Sequence, residues 1–273
     1  MLLRQLVAPS LVFTVMLTAC GGNPSPSDIG ISPGHGTALL RSDMESIVYP
    51  LDGYSVSTQE LNLIERAGSI RIQQCMSKNG QPIDLIGSFK DRTSAAERPY
   101  GIWLMSTAEQ YGYGRPEENL GTPQLETKTV EFNRQWDSCL GEAVPSTSYG
   151  ADQNALSVQL AARATAAAKK DPKTIELVQA WKTCLQAKGA TFKDNETWSP
   201  IEARSDAETA SRVAISDVRC KEDMDFVQKM ADIEASYQAT LISDNEAGLL
   251  AQRQKIEKTL HEAAQTVAAF VGD

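Results

Sequence analysis

From Asp206 to Phe270 the chain contains no proline, and bulky apolar residues recur at three- and four-residue steps over the whole distance. Proline inside a helix removes a backbone hydrogen bond and clashes with the preceding turn, so a proline-free run with this period points to α-helix. Val213, Cys220, Met224 and Val227 lead into Phe226, Met230, Ile233, Tyr237 and Leu241; Leu249, Ile256, Leu260, Ala263, Val267 and Phe270 continue as a near-heptad stripe. Ser243-Asp244-Asn245-Glu246 has the character of a helix cap, which predicts either two helices or one long helix with a weak point there. An apolar stripe of this length binds a partner helix or packs across its own chain. The second is favoured here, because a stripe left in water invites aggregation.

Four further helices are expected upstream. Ser57 or Thr58 can cap one that runs to Asn79, with Leu61, Ile64, Gly68, Ile72 and Cys75 on one face and Gly80 as its stop. Phe132, Trp136, Cys139 and Ala143 define the buried face of a second, spanning about 126–143. Residues 152–170 are alanine-rich and helical. Asp171-Pro172 then reads as N-cap and first-turn proline of a helix that carries Leu177, Val178, Trp181, Cys184 and Leu185 to a stop at Gly189. Between them, residues 81–124 carry Pro82, Pro99, Pro116 and Pro123 without a sustained period, and 191–205 reads as a loop. The fold class is therefore mostly α: a disulfide-stapled helical bundle with a long C-terminal amphipathic helix or helix pair and irregular Pro/Gly-rich loops.

The chain opens MLLRQLVAPSLVFTVMLTACGG, a basic start and a short apolar stretch followed by small residues. These are the parts of an export signal, too short for a stable membrane span. Leu17-Thr18-Ala19-Cys20 resembles the bacterial lipobox, which implies lipidation of Cys20 with fatty acyl chains such as palmitate and cleavage before it. Stable anchoring takes more than one acyl chain, which a lipoprotein cysteine supplies. The expected organisation is a signal peptide at 1–19, the lipidated Cys20 and a flexible tether at 20–56, and two helical halves at 57–150 and 151–273. Gly, Pro and Ser dominate the tether from 21 to about 36, where His35 is expected to be solvated.

Beyond Cys20, four cysteines remain: Cys75, Cys139, Cys184 and Cys220. In an exported chain an even number reads as two disulfides, and the count alone leaves three connectivities open. A zinc site is the weaker alternative, because no Cys-x-x-Cys pair occurs and His35 and His261 stand apart. A catalytic thiol would need a base that the spacing does not provide. The stretches IRIQQCMSKNG and VQAWKTCLQAKG echo one another, each placing a cysteine five residues before a helix-ending glycine. If the halves are related units, Cys75 with Cys139 and Cys184 with Cys220 is the economical pairing.

The formal net charge is −9, and removing the signal takes away one basic residue and no acidic one. Such a surface repels phosphates, so no nucleic-acid partner is expected. No phosphate loop, dinucleotide fingerprint, nucleophile elbow or His-Glu-x-x-His motif is present, so neither catalytic residues nor a cofactor nor a metal is assigned. Asn195-Glu196-Thr197 matches a glycosylation sequon that has no meaning in a bacterium. One aromatic concentration stands out in a chain with 6% aromatics: Tyr100, Trp103, Tyr111 and Tyr113, flanked by Arg98 and Arg115. Stacked rings beside arginines could form a binding surface for sugar, peptide or protein. The plainer reading, which is favoured, is that they plug one end of the core.

The exported start, Cys75-Met76 with Gly80, Tyr100-Gly101 with Tyr111-Gly112-Tyr113-Gly114, and Trp181 with Cys184 and Gly189 together resemble uncharacterised exported lipoproteins of actinobacterial type. The resemblance implies a helical extracytoplasmic lipoprotein and carries no activity with it. The expected role is a non-enzymatic binding or interaction module, lipid-anchored to the bacterial cell membrane, with an envelope protein or cell-wall component as partner. The alternatives are an envelope hydrolase or accessory subunit acting on glycan or peptide near the Tyr100 to Tyr113 loop, and a small-ligand binder.

Overall fold

The C-terminal run does form helix, and the rest of the chain is arranged along it. A computed structural model describes residues 31–92, 98–115, 129–143, 155–193 and 199–272. Cys20 and its signal, the expected helix starts near 126 and 152, and Asn195-Glu196-Thr197 lie outside these residues. Among the described residues there are seven α-helices and one two-stranded sheet. No helix among them is long and apolar enough to cross a membrane.

A short antiparallel hairpin, β1 (Leu39–Arg41) and β2 (Ser46–Val48), pairs Leu40 with Ile47. A 3-10 turn at Pro50–Tyr54 leads to α1 (Thr58–Lys78). Then follow α2 (Met105–Tyr111), α3 (Val130–Ala143), α4 (Leu156–Ala168) and α5 (Pro172–Ala187). A second 3-10 turn, Ile201–Arg204, precedes α6 (Ala207–Asp223) and α7 (Phe226–Gly272). The helix boundaries have local causes. Ser57 and Glu60 satisfy each other's backbone N–H groups in a capping box at the start of α1. Asp171 accepts from the Lys173 N–H at 2.8 Å beside Pro172, and Asp206 accepts from the Thr209 N–H at 2.9 Å. Gly189, at φ +90°, ends α5 in a left-handed conformation that side chains avoid.

Two breaks divide the proline-free run. The expected weak point is at Asn245, whose non-helical backbone (φ −128°, ψ 18°) kinks α7, while its side-chain amide donates to the Leu241 carbonyl at 2.8 Å. The break at Met224–Asp225, which separates α6 from α7, was not expected. Asp225 takes φ +54° there with neither glycine nor proline to announce it; aspartate tolerates this region better than most residues.

α7 packs along α1 and α4 and also touches α5 and α6. The largest apolar cluster gathers Trp181, Leu185, Val213, Phe226, Met230 and Ala231 with Ile47 of the hairpin. A second joins Leu51, Leu160, Tyr237, Leu241 and Leu249. A satellite of Ile72, Met76, Leu85, Phe132 and Cys139 lies between α1 and α3. Thus the C-terminal stripe is covered by its own chain. Residues 31–273 form one compact unit, in which the two expected halves share α7.

The expected tether is shorter than residue 56. The Gly34 N–H donates to the Ser236 carbonyl at 2.9 Å, and the Ala38 N–H to the Asp232 carboxylate at 2.9 Å. A Cβ on Gly36 would collide with the Ala235 carbonyl, so glycine here permits backbone to lie directly on α7. His35 is exposed, as expected of it.

Both disulfides form, Cys75–Cys139 joining α1 to α3 and Cys184–Cys220 joining α5 to α6. This pairing is the one the helix-end echo favours, and it removes the four-cysteine zinc and free-thiol alternatives. Disulfides persist in oxidising compartments, which places the folded part outside the cytoplasm. Their loops of 64 and 36 residues would each contribute about 4 kcal/mol in the chain-entropy model. Because α3 packs chiefly on α1, the two losses should differ in kind. Cys75→Ala/Cys139→Ala is expected to raise amide exchange in α3 and the end of α1 with a small drop in melting temperature. Cys184→Ala/Cys220→Ala, in the largest cluster, should lower the global unfolding free energy by about 2–4 kcal/mol in denaturant titrations.

Candidate functional site

The segment 98–115 lies inside the fold, held by three buried carboxylates from elsewhere in the chain. Tyr100 and Trp103 are core residues, Tyr113 is half-buried, and only Tyr111, at 39% exposure, shows a substantial face to water. The four rings therefore do not make the shared stacking surface that their clustering suggested. Their clustering reflects filling: Tyr100 and Trp103 join the largest cluster, against which Tyr113 packs.

Glu45, at the end of the hairpin turn with φ +46°, provides the first carboxylate. It pairs with Arg98 at 2.7 Å, both side chains being 5% exposed, and its other oxygen accepts from the Trp103 and Leu104 N–H groups at 3.3 and 3.4 Å. Arg98 also donates to the Gly114 carbonyl, closing the segment on itself. Asp217 of α6 is the second. It accepts from the Trp181 indole N–H at 2.7 Å and the Tyr113 hydroxyl at 3.0 Å, and it pairs with Lys221 at 3.1 Å. Lys221 in turn donates to the Ile102 carbonyl at 2.7 Å. Burial pulls the Lys221 ammonium below the ordinary lysine range, while Asp217 pulls in the opposite direction. Each of these two carboxylates has a cation and two further donors, so both arrangements are structural.

The third carboxylate, Glu234 of α7, is different. Its oxygens accept from the Tyr100 hydroxyl at 3.0 Å and the Thr165 hydroxyl at 2.8 Å. It is 8% exposed and, among the described residues, makes no ion pair. Removing a carboxylate from water costs several kcal/mol, which two hydroxyls offset only in part. A carboxylate accepts about four hydrogen bonds, so acceptor capacity remains. Beside it lies a cavity of about 350 Å³, lined by Pro99, Tyr100, Thr165, Ala168, Lys169, Thr174, Met230 and Glu234. Thr174, 3% exposed in the first turn of α5, lines the same space, and among the described residues its buried hydroxyl has no hydrogen-bond partner. Glu234 and Thr174 thus line one small, mostly apolar space, and a half-satisfied carboxylate beside such a space is what a preformed ligand site leaves when its ligand is not counted.

Burial, with Tyr49 and Glu234 adding to it, raises the Tyr100 phenol far above the ordinary tyrosine range, so it stays a proton donor to Glu234. Tyr49 lies 2.9 Å behind it, oxygen to oxygen.

Sequence reasoning singled out Tyr100 and missed Glu234, Thr174 and Thr165. A signal was present in α7: Val227, Ala231, Glu234, Gln238 and Leu241 follow heptad steps, so two polar residues occupy the buried stripe. His261, the other histidine, is exposed on α7 beside Gln265. No family model, curated protein sequence or solved structure matches the chain.

Two outcomes follow from this chemistry. Thr174→Val exchanges an unpartnered buried hydroxyl for a methyl and should raise stability by about 1 kcal/mol in denaturant titrations, whereas Asp217→Ala should cost about 3–5 kcal/mol. Burial likewise raises Tyr113, with Asp217 adding to it, so both buried phenols hold their protons in the fold after unfolded tyrosines would release them. The unfolded chain then binds fewer protons, and stability should fall as pH rises through about 10. Tyrosinate absorbance should show these two ionising only as the fold is lost, and Tyr100→Phe should flatten the alkaline decline.

Proposed function

We propose that this is a lipid-anchored extracytoplasmic lipoprotein of the bacterial cell envelope, acting as a non-enzymatic binding module that holds a small ligand in the Tyr100–Glu234 cavity. Leu17-Thr18-Ala19-Cys20 and the apolar stretch before it support the anchor, and the likeness to exported actinobacterial lipoproteins agrees with it. The cavity beside Glu234, a buried carboxylate that among the described residues has hydroxyl partners and no cation, carries the binding reading. A volume of about 350 Å³ lies at the small end of the roughly 300–1,000 Å³ usual for ligand sites. The burial of Tyr100 and Trp103 draws support away from a glycan-stacking or hydrolase role for the 98–115 segment.

Two measurements test the two parts. Cys20→Ala should abolish incorporation of labelled palmitate and leave the protein outside the detergent-extracted membrane fraction; unchanged incorporation would rule out Cys20 as the anchor. Native mass spectrometry of the protein extracted from its envelope should show a small-molecule adduct that Ala168→Leu, which fills the cavity, removes. An adduct-free protein, or one whose adduct survives that substitution, would remove the cavity from consideration.

A further inference from the structure

Resting on the reading of this cavity as a binding site, we infer that its ligand is a small monoamine, a single ammonium group with N–H donors on a hydrocarbon body, bound with its nitrogen at Glu234. The carboxylate sets the sign of the ligand. Glu234 is 8% exposed, lines the cavity, and among the described residues accepts from the Tyr100 hydroxyl at 3.0 Å and the Thr165 hydroxyl at 2.8 Å, with no cation. Those two hydroxyls come from the 98–115 segment and from α4, so the carboxylate is held in place by elements other than its own helix before a ligand arrives.

Glu45 and Asp217 show how this fold treats a buried carboxylate whose role is structural: each receives a cation from the chain, Arg98 and Lys221 respectively. An ammonium at Glu234 would supply the same counter-charge. It would also use acceptor positions that the two hydroxyls leave open, in surroundings where charge-assisted hydrogen bonds are strong. A neutral ligand leaves the buried charge uncompensated, and an acid adds a second negative charge beside it.

The remaining walls decide what carries the ammonium. Pro99, the Tyr100 ring, Ala168 and Met230 are apolar, and the volume of about 350 Å³ has room for a hydrocarbon body. A bare inorganic cation would leave these surfaces unused. A quaternary ammonium suits a cage of several aromatic faces, whereas Tyr100 is the one ring among the described residues lining this space, and such a nitrogen brings no N–H to the carboxylate. The other charged residue in the lining is Lys169, exposed at the end of α4. Its positive charge opposes a second ammonium, which selects a monoamine over a diamine. Being solvated, it gives a ligand carboxylate little, so an amino acid gains nothing over the amine.

Fluorine NMR of the full chain in a neutral maltoside detergent can separate these cases with probes of similar shape: para-fluorophenethylamine, its trimethylammonium derivative, the alcohol that carries a hydroxyl in place of the amine, and para-fluorophenylalanine. The amine should bind at least about ten-fold tighter than the alcohol or the trimethylammonium, and the amino acid no tighter than the amine. Glu234→Gln should weaken the amine by about ten-fold or more and leave the alcohol unchanged. The probe series uses the unaltered chain, so it decides even if this variant does not fold. An alcohol or trimethylammonium that binds as tightly as the amine, an amino acid that binds more tightly, or a folded Glu234→Gln that binds the amine unchanged would overturn the monoamine assignment while leaving the cavity as a site for some other ligand. Failure of every probe to bind also overturns it. In that event the adduct seen or not seen by native mass spectrometry tells whether the binding reading falls too.

Discussion

A carboxylate buried to 1% exposure has to be surrounded by donors, and Asp217 obtains them from three places at once: the Trp181 indole on α5, the Tyr113 hydroxyl in the 98–115 segment and the Lys221 ammonium one turn on. Leaving any donor out would strand charge in the interior, so α5, α6 and the segment must arrive together. The Lys221 ammonium extends the constraint to the Ile102 carbonyl. It also lies 5.3 Å from the Trp181 ring, which Phe192 meets edge-on and Phe226 at a tilt. The arrangement of the largest apolar cluster thus follows from a polar requirement at its centre.

The disulfides act on top of this. Cys184–Cys220 joins the same two helices that Asp217 and Trp181 bring together, so covalent and polar constraints agree at one interface. Cys75–Cys139 does a different job, securing a satellite core whose apolar residues are few. In so small a core the covalent link holds α3 on α1 where few apolar contacts would, so its effect is local.

Of the three buried carboxylates that hold the 98–115 segment, Glu234 is the one with no cation among the described residues, and the cavity beside it is where we propose that a ligand binds. Arg98, Lys221 and Trp181 pair within the chain, whereas among the described residues Glu234 has hydroxyls and no cation. A buried carboxylate of this kind costs stability unless a ligand supplies the missing charge. Around it, Leu160, Ala164 and Ala168 of α4 pack with Tyr237, Leu241 and Leu249 of α7 in one core.

Periodicity, caps and cysteine positions alone determined that the chain is helical, where α1 and α5 begin and stop, and which residues could be half-cystines, because these depend on neighbours within one turn or on composition. The helix-end echo around Cys75 and Cys184 even favoured the observed pairing. Tertiary structure decided the rest. The Met224–Asp225 break rests on an aspartate in a left-handed conformation, which no local residue requires. Tyr100 and Trp103 are favoured as core rather than surface by their type alone, but that the Glu45 turn and the largest cluster enclose them is a matter of tertiary contact. Glu234 in a buried stripe was visible as an oddity of spacing. That it meets Thr165 and Tyr100, 69 and 134 residues away, beside an unpartnered Thr174, is a matter of contacts distant in sequence, and no local pattern encodes them.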